Sequence, residues 1–108
     1  QLRLVEAGGG LRAPGDSVLL SCRGSGFDFG SFNLWWYRQA PGGRPKRVAW
    51  ISYHSVFIEY DTEFQGRATV SRDNALSASS LFLHALHPRD SAHYFCAVLT
   101  ETGNLAEL

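Results

Sequence analysis

The chain has 108 residues, room for one modest core and no second domain. Ten Lys+Arg balance ten Asp+Glu, so the formal net charge is zero with four His neutral. That balance excludes a generic polyanion binder and a disordered acidic tail. Hydrophobic residues at 44% and aromatics at 13% indicate a globular chain. Uninterrupted apolar stretches fall far short of the ~20 residues that span a bilayer. No N-terminal stretch reads as a signal peptide, which fits Gln1 as the start of a mature or recombinant form. The two cysteines, Cys22 and Cys96, are too far apart for a CxxC redox or zinc site.

In chain order, short period-2 runs read as strands at Leu2–Glu6, Ser17–Arg23, Asn33–Gln39, Arg47–Ile51, Phe57–Tyr60, Ala68–Arg72, Ser80–Leu86 and Ala92–Val98. A last strand is expected within Gly103–Leu108. The clearest run places Val18, Leu20 and Cys22 on one face. Breakers lie between the runs: Gly8-Gly9-Gly10, Ala13-Pro14-Gly15-Asp16, Ala40-Pro41-Gly42-Gly43, Arg72-Asp73-Asn74 and His87-Pro88-Arg89-Asp90. There is no helical stripe, internal repeat or low-complexity linker. The pattern predicts an all-β, two-sheet antiparallel sandwich. Cys22 falls on the second strand and Cys96 on the penultimate one, so a bridge between them would join the sheets. Closing a loop of about 75 residues is worth roughly 4 kcal/mol in the chain-entropy picture. The alternative is two unpaired buried thiols.

After Cys22 comes Trp36, opening Trp36-Tyr37-Arg38-Gln39-Ala40-Pro41-Gly42, and Asp90-Ser91-Ala92-His93-Tyr94-Phe95 leads into Cys96. A Cys–Trp–Cys trio with a Tyr two residues before the second Cys marks an immunoglobulin sandwich with its tyrosine corner. With Leu4-Val5-Glu6-Ala7-Gly8-Gly9-Gly10, Leu20-Ser21-Cys22, Gly26-Phe27, Gly66-Arg67 and Val70-Ser71-Arg72-Asp73-Asn74, the chain resembles an antibody heavy-chain variable domain over essentially its whole length. The resemblance implies a V-type Greek-key sandwich over residues 1–108, a Cys22–Cys96 disulfide, a core Trp36 and a Tyr94 corner. It also implies an Arg67–Asp90 ion pair, against two independent surface charges. Parity puts Leu34, Trp36 and Arg38 on one face and Trp35 on the other with Asn33, Tyr37 and Gln39, the face that meets a light chain in this family.

That face departs from the family. Tyr37 stands where Val is usual, Arg44 for Gly, Pro45 for Leu and Arg47 for Trp, with Lys46 between. Charge at an interface core is costly to desolvate, so the change resembles the hydrophilic face of single-domain antibodies. Gln39, a usual light-chain contact, is retained, which leaves a light-chain variable domain as the alternative partner. At the C-terminus, aligning Gly103 with the second Gly of the family's Trp-Gly-x-Gly motif puts Thr100 in place of Trp. The third loop is then Leu99 alone, and the last strand is Asn104–Leu108 with Ala106 and Leu108 inward. The other reading is a loop throughout with no last strand.

By resemblance, binding falls to the first loop, Gly26–Leu34, and the second, Trp50–Glu59. Aromatics give contact area at little rotamer entropy, and Ser and Asn give adaptable hydrogen bonds. Candidate contacts are Ser31, Phe32, Asn33, Trp35, Arg47, Trp50, Ser52, Tyr53, His54, Ser55, Val56, Phe57, Glu59, Leu99, Thr100 and Glu101. Phe27 and Phe29 are expected to tuck beneath the first loop. Val56-Phe57-Ile58 is unusually apolar for a hairpin tip and suits a hydrophobic epitope or packing on neighbours. Trp35, Trp50 and Leu99 are expected to floor a shallow site bordered by Arg47. The expected partner is a protein or other macromolecular antigen, met outside the cell, with no cofactor, nucleic acid or membrane.

Rival functions fare worse. No Gly-x-Ser-x-Gly turn or other nucleophile context occurs, so no catalytic residue is assigned. His84, His87 and His93 share no face suited to a metal, and none is expected. The cations Arg44, Lys46 and Arg47 are too few for nucleic acid. A V-type receptor or adhesion module is the remaining rival.

Overall fold

The computed structural model describes residues 3–99 and 105–106. Its strands are β1 (Arg3–Gly8), β2 (Val18–Ser25), β3 (Leu34–Gln39), β4 (Lys46–Ile51), β5 (Ile58–Tyr60), β6 (Ala68–Asp73), β7 (Ala78–Leu83), β8 (His93–Leu99) and β9 (Leu105–Ala106). They form two antiparallel sheets, ordered β1-β2-β7-β6 and β5-β4-β3-β8-β9. The chain crosses between sheets after β2, β5 and β7, giving the expected sandwich. No helix among the described residues is long and apolar enough to cross a membrane.

Alternation decides which side chains meet between the sheets. Leu20 and Cys22 on β2, Val70 on β6 and Leu81 and Leu83 on β7 face Leu34 and Trp36 on β3 and Cys96 and Val98 on β8, all buried. Cys22 and Cys96 form a disulfide with their Cα atoms 6.4 Å apart. Trp36 is 0% exposed beside it. Burying the indole requires a partner for its N–H, and Nε1 donates to Ser79 Oγ at 3.1 Å. Ser79 in turn donates to Ser71 O at 2.7 Å, tying three strands through one buried polar chain.

Several boundaries differ from the sequence reading. β7 begins at Ala78, because that residue pairs with both Arg23 and Asp73. It ends at Leu83, short of Leu86, since Ala85 takes a left-handed φ of 52° that no ladder accommodates. The last strand exists, and its ladder corrects the third-loop assignment. Leu99 pairs with Leu105 and Val98 with Ala106, so Leu99 belongs to β8 and is not itself the loop. The expected inward position of Leu108 lies outside the described residues.

The end of the sandwich near the η turn at Pro88–Asp90 is closed by charge. Arg67 Nη1 and Nη2 reach the two carboxylate oxygens of Asp90 at 2.8 and 3.2 Å. Burial alone would raise the Asp90 carboxyl, but hydrogen bonds from Arg67 and the His87 amide, with the guanidinium charge, hold it below the usual range. The Asp90 hydrogen bond raises Arg67. Tyr94 Oη donates to Asp90 O at 2.7 Å, the corner expected from the sequence. Burial pushes the Tyr94 phenol up to about 12.

Candidate functional site

Two loops emerge side by side at the other end, between β2 and β3 and between β4 and β5. The first is anchored by its aromatics. Phe29 is buried, and Phe27 packs on it with ring centroids 6.1 Å apart. Phe32 meets Phe27 edge-on at 5.5 Å and packs against the core. Gly24 makes this possible, because a Cβ there would lie 2.7 Å from Phe29 Cδ1. Ser31 is exposed and donates to Asp28 Oδ2 at 2.6 Å.

The second loop is built around Ser52. Expected as a contact, Ser52 is instead 2% exposed. Its Oγ accepts the Phe57 N–H at 3.0 Å and lies 2.8 Å from His54 Nδ1, so the hydroxyl closes the loop rather than facing a ligand. Ser52 N donates to Phe57 O at 2.9 Å, and Ser55 turns the tip at φ 64°. The outward side chains are large. Tyr53 stacks on His54 at 4.3 Å, and His54 meets Phe57 at 5.7 Å. Val56 is 65% and Phe57 60% exposed, with Ile58 also open, making an apolar ridge on the tip.

Arg72 binds the loops to each other, a role the sequence reading missed. Its guanidinium donates to Phe29 O at 2.9 Å in the first loop and to Ser52 O at 3.1 Å in the second. Nε donates to Asn74 Oδ1 at 2.8 Å, and the cation sits 4.8 Å over the Phe29 ring. Asn74 Nδ2 reaches Tyr53 O at 2.7 Å, while Tyr53 N donates to Asn33 Oδ1 at 2.9 Å. Desolvation lowers the Arg72 pKa to about 10, which leaves it a cation at neutral pH. Parity offered a signal: Ala68 and Val70 are inward residues of β6, and Arg72 stands in the same phase.

Beside the loops, Trp35 and Trp50 are cross-strand partners, half-buried with ring centroids 6.2 Å apart. They supply two of the three expected floor residues; the Leu99 side chain, with Thr100 and Glu101, lies outside what the structure describes. Exposed Arg47 lies across a bulge from this pair and lines a shallow depression with Glu59 and Asp61. Further along the same sheet face, Tyr37 stacks on Phe95 at 5.6 Å, and His93 on Phe95 at 5.5 Å. Gln39 Nε2 donates to Gly43 O at 3.0 Å. No group of three or more His, Cys, Asp or Glu suited to a metal occurs among the described residues.

Two sheets pinned by a disulfide on a buried Trp, with adjacent loops locked at one rim, are the frame of a recognition module. The family model described as Immunoglobulin V-set domain matches residues 11–107. The chain belongs to the immunoglobulin V-set family. In this V-set domain the match spans both cysteines, Trp36, Tyr94 and both loops. V-set domains are in general binding modules rather than enzymes, and the disulfide fits an oxidising compartment.

Proposed function

We propose that this V-set domain is an antibody heavy-chain variable domain, secreted, that binds a macromolecular antigen autonomously through its first two loops and the adjoining sheet face. Residues 1–108 would act as one unit. The observation that carries the reading is the locked pair of loops. Arg72, Asn74 and Asn33 hold the backbone beneath a projecting ridge of Tyr53, Val56 and Phe57. A ridge fixed before binding loses little entropy on contact, and aromatic anchors of that kind dominate protein interfaces.

Autonomy is supported by the sheet face. Tyr37 lies over Phe95 and leaves it 7% exposed, so the aromatic surface there is self-covered. Arg44, Lys46 and Arg47 are all exposed, and seating them against an apolar partner would strip water from three cations. Gln39 is engaged with Gly43.

The test is chromatography of the chain alone and mixed with a light-chain variable domain, followed by Phe57→Ala and Trp50→Ala variants against a captured antigen. A lone monomer whose antigen binding falls with both variants supports the proposal. Tight association with the light-chain domain would restore a paired site, and binding indifferent to both variants would move the site elsewhere.

A further inference from the structure

The outer face of the four-stranded sheet distributes size and charge by rows. Register places Ala7, Ser21, Ser80 and Ser71 in one cross-strand row, all outward by alternation. The next row, on the side away from the loops, is Leu19, Phe82 and Thr69. Leu19 is 57% and Phe82 38% exposed, and His84 stacks on Phe82 with ring centroids 6.0 Å apart. The first row is therefore a shallow trough of small side chains, and the second a ridge of large apolar ones. Neither row carries a charge. On the loop side of the trough comes a charged row, in which Arg23 pairs with Ala78 and Ala78 with Asp73. A neutral centre with charge at its margin has the composition of an interface core.

We propose that this face binds a second copy of the chain, the two sheets packed face to face with their strands antiparallel. Shape selects that occupant. Rows on one face of a sheet lie about 7 Å apart, and a ridge beside a trough at that spacing is its own complement. A two-fold axis along the rows, midway between them, seats Leu19 over Ser21 of the second copy and Phe82 over its Ser80. The same rotation repeats both contacts in reverse. An axis along the strands would set ridge on ridge and leave the troughs unfilled. Charge agrees with the first arrangement, which brings Arg23 over the neutral Ser17 of the second copy and Asp73 toward its oppositely charged Arg67. Four strands at about 4.8 Å and three rows at about 7 Å cover roughly 400 Å² per copy, about 800 Å² in all. Stable complexes begin near 1,200 Å², so the dimer is transient, with a dissociation constant on the order of 0.1–1 mM. At about 10 µM the chain is then mostly monomeric, so the contact is compatible with autonomous binding. Antiparallel packing points the two loop ends in opposite directions, which suits a dimer to linking two separate ligands rather than gripping one.

The test is sedimentation velocity of the chain alone from about 10 µM to about 1 mM, with chemical-shift mapping over the same range. At about 1 mM half or more of the chains should be paired, with shifts at Ser21, Thr69 and Ser80 and none at Trp35, Tyr53 or Phe57. Leu19→Glu removes the ridge and Ser21→Arg fills the trough, so each should weaken association at least about tenfold. Mixing the two variants sets the introduced carboxylate over the introduced guanidinium and should recover about tenfold over either alone. Both positions point outward, and unchanged thermal midpoints establish that the variants fold. Where one does not, Phe82→Ser replaces it and should weaken association likewise. A single monomeric species at about 1 mM overturns the proposal. Association that survives the variants, or shifts centred on Tyr37 and Trp50, overturns it by placing the contact on the other sheet. Failure of the mixed variants to associate overturns the antiparallel arrangement and the proposal with it.

Discussion

Replacing Arg72 tests whether the two loops are held as one body. The guanidinium makes short contacts to Asn74 Oδ1, Phe29 O and Ser52 O at 2.8, 2.9 and 3.1 Å, with a longer one to Ile51 O at 3.4 Å. Deleting a hydrogen bond to a charged group costs about 1.5–3 kcal/mol, and the cation over Phe29 adds roughly 0.5–1. Against this stands the cost of holding a half-buried cation, visible in its lowered pKa. Three good bonds less that cost leave Arg72→Ala destabilised by about 2–3 kcal/mol. In urea, with a slope of about 1–3 kcal/mol/M, the midpoint should fall by roughly 0.7–3 M at unchanged slope. Arg72→Lys keeps the charge but cannot fork between Phe29 O and Ser52 O, so it should recover only part of the loss. Amide exchange supplies the local readout, with Ser52 and Phe57 opening faster in both variants while Cys22 and Trp36 follow global stability. A midpoint shift below about 0.2 M, with Ser52 and Phe57 exchanging as before, would refute the reasoning.

Other outcomes follow from the same geometry. The Asp90 carboxyl is held below its ordinary value, so the stability it contributes is full above about pH 4 and is lost as pH falls through its folded-state pKa. Asp90→Asn should flatten the acid limb of a pH–stability curve, and an unchanged limb would count against the ion pair. Ser79→Ala leaves the buried Trp36 N–H without its acceptor and should cost about 1–3 kcal/mol by denaturant titration. A loss near zero would mean the indole had found another partner. Phe57→Ala removes an exposed side chain and should alter folding stability by less than about 0.5 kcal/mol, so any binding loss it causes is local. A larger thermal shift would make Phe57 structural.

Much of the frame was legible because alternation is a strict code once one face is buried. Val18, Leu20 and Cys22 announced β2, and parity separated Trp36 in the core from the half-buried Trp35. The Phe27 and Phe29 anchors were expected from the family resemblance, and the structure buries Phe29 with Phe27 packed on it. What escaped the pattern was polar chemistry in an inward phase. Ser79 shares the face of Leu81 and Leu83, and Arg72 that of Ala68 and Val70, yet a Ser or Arg in a period-2 run resembles the solvent side. Ser52 escaped for another reason. Beyond Ile51 the strand ends, parity no longer applies, and only the hydrogen bonds closing the turn place its hydroxyl inside. The length of the third loop was missed because it depends on ladder register, and Leu99 pairing with Leu105 is a tertiary fact that a broken Trp-Gly-x-Gly motif could not convey.

A structure of the chain bound to any captured protein ligand tests the central claim most directly. The expected result is a contact centred on Tyr53, Val56 and Phe57, with Trp50 at its margin and the backbone of both loops unmoved from the free form. A contact centred on the outer face of the four-stranded sheet, where Leu19 and Phe82 stand exposed as cross-strand neighbours, would contradict it.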